Sequence, residues 1–327
     1  MADERKTLTE LLRRAGISNS AITAAWPSWW NEEAAASPSG RAELRFALAR
    51  KLGLQAKPFL GERVEFTWND EARFKHLTTD GKAAQAALSS YGITIGRLLI
   101  RAAGDRETPV IDALTLRNAI LENHPFVDLQ SLIATCWAVG IPVIHLRVFP
   151  LETKSMHAMV VTFGGRFAVL LGRDSVYPAP IAFTLAHEIG HILLKHLQRA
   201  PALIDMEDPA DQEGDDSEEK EADLFALTLL TGSSDPDIRT NIESFNAPSL
   251  AQAVLAASSN YRIEPGTLAL CLAYKRNAWK TANASLKYIY ADEKPVWREV
   301  NGIARLELNW NSLSEDSAQF LQNVMAE

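Results

Sequence analysis

Residues 187–191 read His187-Glu188-Ile189-Gly190-His191. Two imidazoles four positions apart fall on one face of a helix, one turn from each other. Neutral imidazole is a standard zinc ligand, and two on one rigid element supply half of a tetrahedral site. Glu188 follows the first imidazole directly, where its carboxylate can take a proton from a water activated by the cation. The flanking residues favour a mostly buried helix. Leu185, Ile189, Ile192 and Leu193 recur at helical spacing. Pro178 and Pro180 stand just before, where a helix start tolerates proline. Unpaired imidazoles in a buried helix cost free energy, so the expected reading is a metal site rather than two structural histidines.

A hydrolytic zinc site takes three protein ligands and keeps a fourth position open, so a third ligand must exist. His196 lies nine positions after His187. On a continuing helix that places it on the opposite face, as an exposed residue near the helix end. The H-x-x-G-x-x-H extension of the metzincins is absent, because Leu194 stands where glycine would be. A glutamate on the next helix is the other common solution, and Glu218, Glu219, Glu221 and Asp223 compete for it. Glu221 precedes Leu224 by three and Phe225 by four, which borders the face expected to pack inward. Glu218 sits in an exposed first turn, where an acid suits the helix N-terminus. Glu219 follows Asp216 by three, the spacing of a capping box. Spacing alone leaves the choice open.

The elements that must position these residues are readable in outline. The chain has 327 residues, compatible with two domains. Residues 1–66 read as short helices with ten Lys/Arg against eight Asp/Glu, and 67–122 as a mainly helical linker region. Val127 to Val139 forms an amphipathic helix closed by Gly140. Strand patterns follow at 142–149, 158–163 and 166–171, the last two flanking Gly164-Gly165 as a hairpin. Its edge could hold an extended peptide by strand addition, and His157 and Tyr177 are candidates for oxyanion support. Residues 205–223 carry eleven acids and one lysine, and 205–219 reads as a solvated loop. A helical block covers 249–279. The tail at 291–327 reads as a C-terminal extension with a strand-like piece from Ile303 to Leu308.

Composition narrows the function classes. The formal net charge of −8 gives no global basic footprint for nucleic acid. No apolar run is long enough to cross a bilayer, and the polar start, Met1 to Lys6, lacks the core of a secretory signal. The two cysteines, Cys136 and Cys271, are expected as buried free thiols, which fits the cytoplasm.

The stretch Phe183-Thr184-Leu185-Ala186-His187-Glu188-Ile189-Gly190-His191, with Glu221-Ala222-Asp223-Leu224-Phe225-Ala226 downstream, resembles the ImmA/IrrE family of metallopeptidases. That resemblance covers about 125–275. It implies an α+β fold: a zincin-like (minimal gluzincin) peptidase domain over 123–290, with a small β-sheet and the His-Glu-x-x-His helix. It implies Zn²⁺, with Mn²⁺ or another divalent ion as the substitute, held by His187, His191 and Glu221, with Glu188 as general base. It implies an intracellular endopeptidase whose substrates are regulators, typically helix-turn-helix repressors or antitoxins. Two departures stand out. Asp223 replaces the family's usual Asn, which bears on the surroundings of the metal, and Thr231-Gly232 stands where Met-Pro is common. Family members often carry an N-terminal helix-turn-helix, and Leu48-Ala49-Arg50-Lys51-Leu52-Gly53-Leu54 resembles the closing helices of Cro/repressor-type domains. Trp26-Pro27-Ser28-Trp29-Trp30 falls where a recognition helix should offer polar side chains to bases. Those tryptophans are expected as core or a protein-binding surface, and the fold as a degenerate, non-reading one. The competing class is a binding module that sequesters a repressor or DNA without cleavage.

Overall fold

The β-rich apolar runs on either side of Gly164 and Gly165 form the predicted hairpin, with both glycines at positive φ (62° and 76°). Two successive positive φ values match the twist of the flanking strands, and glycine adopts them without steric cost. The computed structural model describes residues 2–68, 72–75, 81–152, 156–197, 200–206, 217–240 and 245–326. The hairpin strands, β3 (Ala158–Phe163) and β4 (Arg166–Leu171), lie at the centre of a five-stranded mixed sheet. Three shorter strands complete it: β1 (Arg73–Lys75), β2 (Val143–His145) and β5 (Ala202–Asp205), in the order β1-β5-β3-β4-β2. β3 and β4 therefore have neighbours on both sides, and the edges belong to β1 and β2. Strand addition along 158–161 and 169–171 is thereby corrected: β5 and β2 already take those hydrogen bonds.

Helices cover both faces. The N-terminal segment supplies α1 (Ala2–Arg14), α2 (Asn19–Ala25), α3 (Glu32–Ala36), α4 (Pro38–Leu52) and α5 (Ala56–Leu60). Then come α6 (Lys82–Ala102), α7 (Ala113–Leu121) and α8 (Leu129–Ala138), the last opened by an Asp128–Ser131 capping box. After the hairpin run α9 (Pro178–Leu193), α10 (Ser217–Thr231), α11 (Ala247–Tyr261), α12 (Pro265–Arg276), α13 (Trp279–Ile289), α14 (Val296–Glu307) and α15 (Glu315–Met325). Met159 and Val161 of β3 meet Gly92 and Gly96 of α6. Side chains alternate along a strand, so Ala158 and Val160 face the other way, toward α9. Asp205 is the register partner of Ala158 and shares that face.

One core runs from Leu8 of α1 through the sheet to Met325 of α15, and a smaller one joins α11, α12 and α13. Lys51, nearly fully buried, links the two ends of the chain: its ammonium donates to the Ala25 carbonyl at 3.0 Å and pairs with Asp316 at 2.6 Å. Burial lowers its pKa even so. Trp26, Trp29 and Trp30 pack, partly buried, against the main core. Cys136 and Cys271 are buried free thiols, and burial pushes each up to about 12.

Two local expectations are revised. The segment from Ile303 to Leu308 is not a strand; Ile303 to Glu307 are helical, in α14. Val296, Val300 and Ala304 are buried at four-residue spacing while Leu306 is exposed, a helical period that begins before the stretch read as a strand. The block at 249–279 is two helices, α11 and α12, separated at Arg262, whose φ is 52°. The expected capping box needs Asp216, which lies outside the described residues, as do positions 207–216 of the acidic loop.

Candidate metal centre

α9 starts with Pro178 as its first residue, as the sequence predicts. It carries His187, Glu188 and His191, all fully buried. The two imidazoles turn the same nitrogen inward, with Nε2 to Nε2 2.9 Å. Their other nitrogens face outward. His187 Nδ1 is 2.8 Å from Asp223 Oδ1, and His191 Nδ1 is 2.8 Å from His196 Nδ1. A carboxylate accepts only, so His187 Nδ1 carries a proton, and in the neutral ring Nε2 keeps the lone pair that a cation would take.

Two carboxylates complete the inner group. Glu219 Oε2 is 3.2 Å from His187 Nε2 and Glu219 Oε1 is 3.4 Å from His191 Nε2. Asp205 Oδ2 is 3.6 Å from His187 Nε2. His187, His191, Asp205 and Glu219 are all buried, their ligand atoms lie within 4.8 Å of one another, and the group could hold a metal ion. Bonds of 2.0–2.1 Å to a tetrahedral zinc imply ligand–ligand edges of about 3.3 Å, and the separations here bracket that value.

The electrostatics fit a cation as well. Both side-chain oxygens of Glu188 and both of Asp205 are buried with no hydrogen-bond donor among the described residues. Buried carboxylates left so are costly unless neutralised or bound to a metal. Burial pushes the Glu188 carboxyl well above its ordinary range, and the neighbouring Asp205 charge adds to it. Burial alone would depress His187, yet the Asp223 and Glu219 carboxylates prevail and raise it well above its ordinary value. Burial likewise opposes ionisation of Glu219, and the two imidazoles outweigh it, holding Glu219 well below the carboxylate range.

Residues 170–274 match the family described as Peptidase U49. The match begins at the end of β4, runs through α9, α10 and α11, and ends inside α12, so it contains the whole cluster. It covers about a third of the chain and supports a peptidase. No curated protein matches the chain.

The structure brings His187, Glu188 and His191 together and sets Glu221 apart. The Glu221 side chain is 59% exposed, with Oε2 3.3 Å from His196 Nε2, while Glu219 holds the inner position. The reason lies in which face of α10 packs on α9. Ala222 and Ala226 are fully buried whereas Leu224 is 49% exposed, so Leu224 does not mark the inward face. Glu219 precedes Ala222 by three and Ala226 by seven, on the buried stripe; Glu221 is two steps of about 100° from Glu219, at the edge of that stripe. Gly190 sets this register. A Cβ there would stand 3.2 Å from Ala222 Cα and 3.3 Å from Phe225 Cβ, so the two helices touch nearly backbone to backbone. At the far end, the Arg117 guanidinium donates to the Leu229 and Leu230 carbonyls and caps the helix.

His196 is also not where helical extrapolation puts it, because α9 stops at Leu193. The His196 N–H donates to the His191 carbonyl at 3.0 Å and the Lys195 N–H to the Ile192 carbonyl at 3.1 Å, with Lys195 at φ 65°. This is a Schellman turn, and it folds His196 back, nearly buried, against His191.

Tyr177 and His157 are not among the four clustered residues. Tyr177 precedes α9, and its hydroxyl donates to Glu293 Oε1 at 2.7 Å while its ring stacks on Tyr290. His157 donates its backbone N–H to the Asp205 carbonyl at 2.8 Å, which ties down the strand end that carries Asp205. Sequence reasoning missed Asp205. The run of acids from 205 onward reads as a solvated loop, yet Asp205 closes the apolar run Ala202-Leu203-Ile204 and belongs to β5.

Proposed function

We propose that the chain is a zinc-dependent endopeptidase, with His187, His191 and Glu219 as ligands and Glu188 as general base. The observation that carries this reading is the convergence of both Nε2 atoms with Glu219, beside a buried Glu188 that has no donor among the described residues. The peptidase match over 170–274 supports the same class. A divalent cation bound there, zinc or Mn²⁺, supplies Lewis-acid polarisation of a peptide carbonyl and acidifies water. Glu188 takes the proton from the attacking water and returns it to the leaving amine. Asp223 holds the His187 ring and keeps its proton on Nδ1.

The substrate class rests on the resemblance to ImmA/IrrE peptidases: a regulatory protein such as a helix-turn-helix repressor or antitoxin, met in the cytoplasm. Two buried free thiols agree with a reducing compartment. Among the described residues no helix is long and apolar enough to cross a membrane. A DNA-binding role for 1–66 draws little from α3, which is five residues long and opens with Glu32 and Glu33, charges that oppose a phosphate backbone. The test is metal analysis of the purified protein, then co-expression with candidate regulators, wild type against Glu188→Gln. Cleavage that persists undiminished in Glu188→Gln rejects the mechanism.

One observation favours a second reading, a metal-holding module that does not cleave. Asp205 supplies a fourth buried ligand, and four protein ligands close a zinc site. Cobalt substitution distinguishes them. An open site changes its visible spectrum when a small hydroxamate is added, and a site closed by Asp205 does so only in Asp205→Ala.

A further inference from the structure

We propose that His196 and Glu221 are positioning residues for His191, acting through a two-step hydrogen-bond relay that presents the His191 Nε2 lone pair to the cation. This rests on the reading of the cluster as a cation site and adds residues that no ligand assignment contains.

The relay runs outward from the cluster. His191 Nδ1 is 2.8 Å from His196 Nδ1, and His196 Nε2 is 3.3 Å from Glu221 Oε2. The Glu221 carboxylate only accepts, so His196 Nε2 carries a proton. A neutral His196 then has an accepting Nδ1, and the facing His191 Nδ1 must be the donor. With its proton on Nδ1, His191 has a bare Nε2, directed at His187 Nε2 and Glu219. Between the two neutral tautomers of His196, the carboxylate at the far end selects the one with the proton on Nε2.

Three local features build the relay. The Schellman turn after Leu193 reverses the chain within three residues and lays the His196 ring across His191, at 5.0 Å between centroids. Lys195 accepts a left-handed backbone to make that turn, a conformation in which glycine would be less strained. Arg73 of β1 donates to the His196 carbonyl at 3.1 Å and pairs with Glu218 of α10 at 2.6 Å, holding the turn to the helix that carries Glu221. His187, by contrast, meets its carboxylate directly, through Asp223. The two histidines thus reach two carboxylates of one helix, at positions 221 and 223, one of them through an intervening imidazole.

The experiment uses the full chain and metal alone. Zn²⁺ affinity is measured by competition with a chromophoric chelator, and the imidazole ¹⁵N spectrum reads which nitrogen of each histidine is protonated. His196→Leu is expected to weaken Zn²⁺ binding by about 10–100-fold, the effect of losing an outer partner of a ligating histidine. His196→Asn keeps an acceptor for His191 at the Nδ1 position and is expected to recover part of it. Glu221→Ala, at an exposed side chain that leaves folding intact, is expected to weaken binding about tenfold and to move the His196 proton off Nε2. Equal binding by wild type, His196→Leu and Glu221→Ala overturns the relay. So does equal loss in His196→Leu and His196→Asn, which would make the ring a space-filler. A wild-type protein that binds no Zn²⁺ rejects the cation-site reading itself, a separate result.

Discussion

Helix α9 and the first turns of α10 contribute to the same cluster, and they differ in what decides their side chains. In α9 the two imidazoles are set by local geometry: four residues, one turn, one face. Any helix over 187–191 brings them together, and the observed one turns both Nε2 atoms inward at 2.9 Å. In α10 four acids share less than two turns, and any of three faces could be turned inward. Which carboxylate arrives is decided by the contact of Gly190 with Ala222 and Phe225. That contact selects Glu219 for the cluster, sends Asp223 to His187 Nδ1, and leaves Glu221 to His196. A motif on one helix is a local statement; a ligand on a second helix is a statement about packing.

The largest expected effect tests the α9 side. Glu188→Gln should lower peptide cleavage by ~10²–10⁴-fold, the contribution of a positioned general base, while Zn²⁺ affinity stays within about twofold because Gln is isosteric and Glu188 is not a ligand. Parallel loss of cleavage and zinc would move Glu188 into the ligand set.

The α10 side is tested by paired substitutions. Glu219→Gln should reduce Zn²⁺ affinity by more than ~100-fold, beyond the range of outer-shell changes, and Asp223→Asn by about tenfold. Chelator competition ranks them directly. If Glu221→Gln exceeded Glu219→Gln, the helix register described here would not be the one that binds metal.

The contact that couples the two helices can be strained deliberately. Gly190→Val should cost about 1–3 kcal/mol of stability by overpacking against Ala222 and Phe225, read by denaturant titration, and should weaken zinc binding with every ligand still present. Unchanged zinc affinity would uncouple the site from the packing. The smallest effect is at the turn that ends α9. Lys195→Gly removes a left-handed lysine and should raise stability by at most about 1 kcal/mol, with zinc affinity preserved. A loss of stability would mean that the lysine side chain contributes more than its backbone strain costs.

Much of the frame was legible in the residues. The hairpin at Gly164-Gly165, the helix ending before Gly140, the α9 start at Pro178 and the buried thiols follow from turn chemistry and periodicity, which act over a few positions. The failures share one cause. Helical extension misplaces His196 because the helix stops, spacing leaves Glu221 and Glu219 unseparated because Leu224, read as inward, is exposed, and the run of acids hides Asp205 among those that follow it. Each carries a local pattern past the point where a turn or a packing contact ends it.

The sequence by itself determined the chemistry available: two imidazoles on one turn, a carboxylate beside them, and a downstream helix rich in acids. Tertiary structure decided which acids join the cluster. Asp205 reaches the cluster because β5 pairs with β3 in a register that turns it toward α9. Glu219 reaches it because two helices meet at a residue without a side chain. These choices depend on packing between segments distant along the chain, and close-packed interiors admit one register where local periodicity admits several.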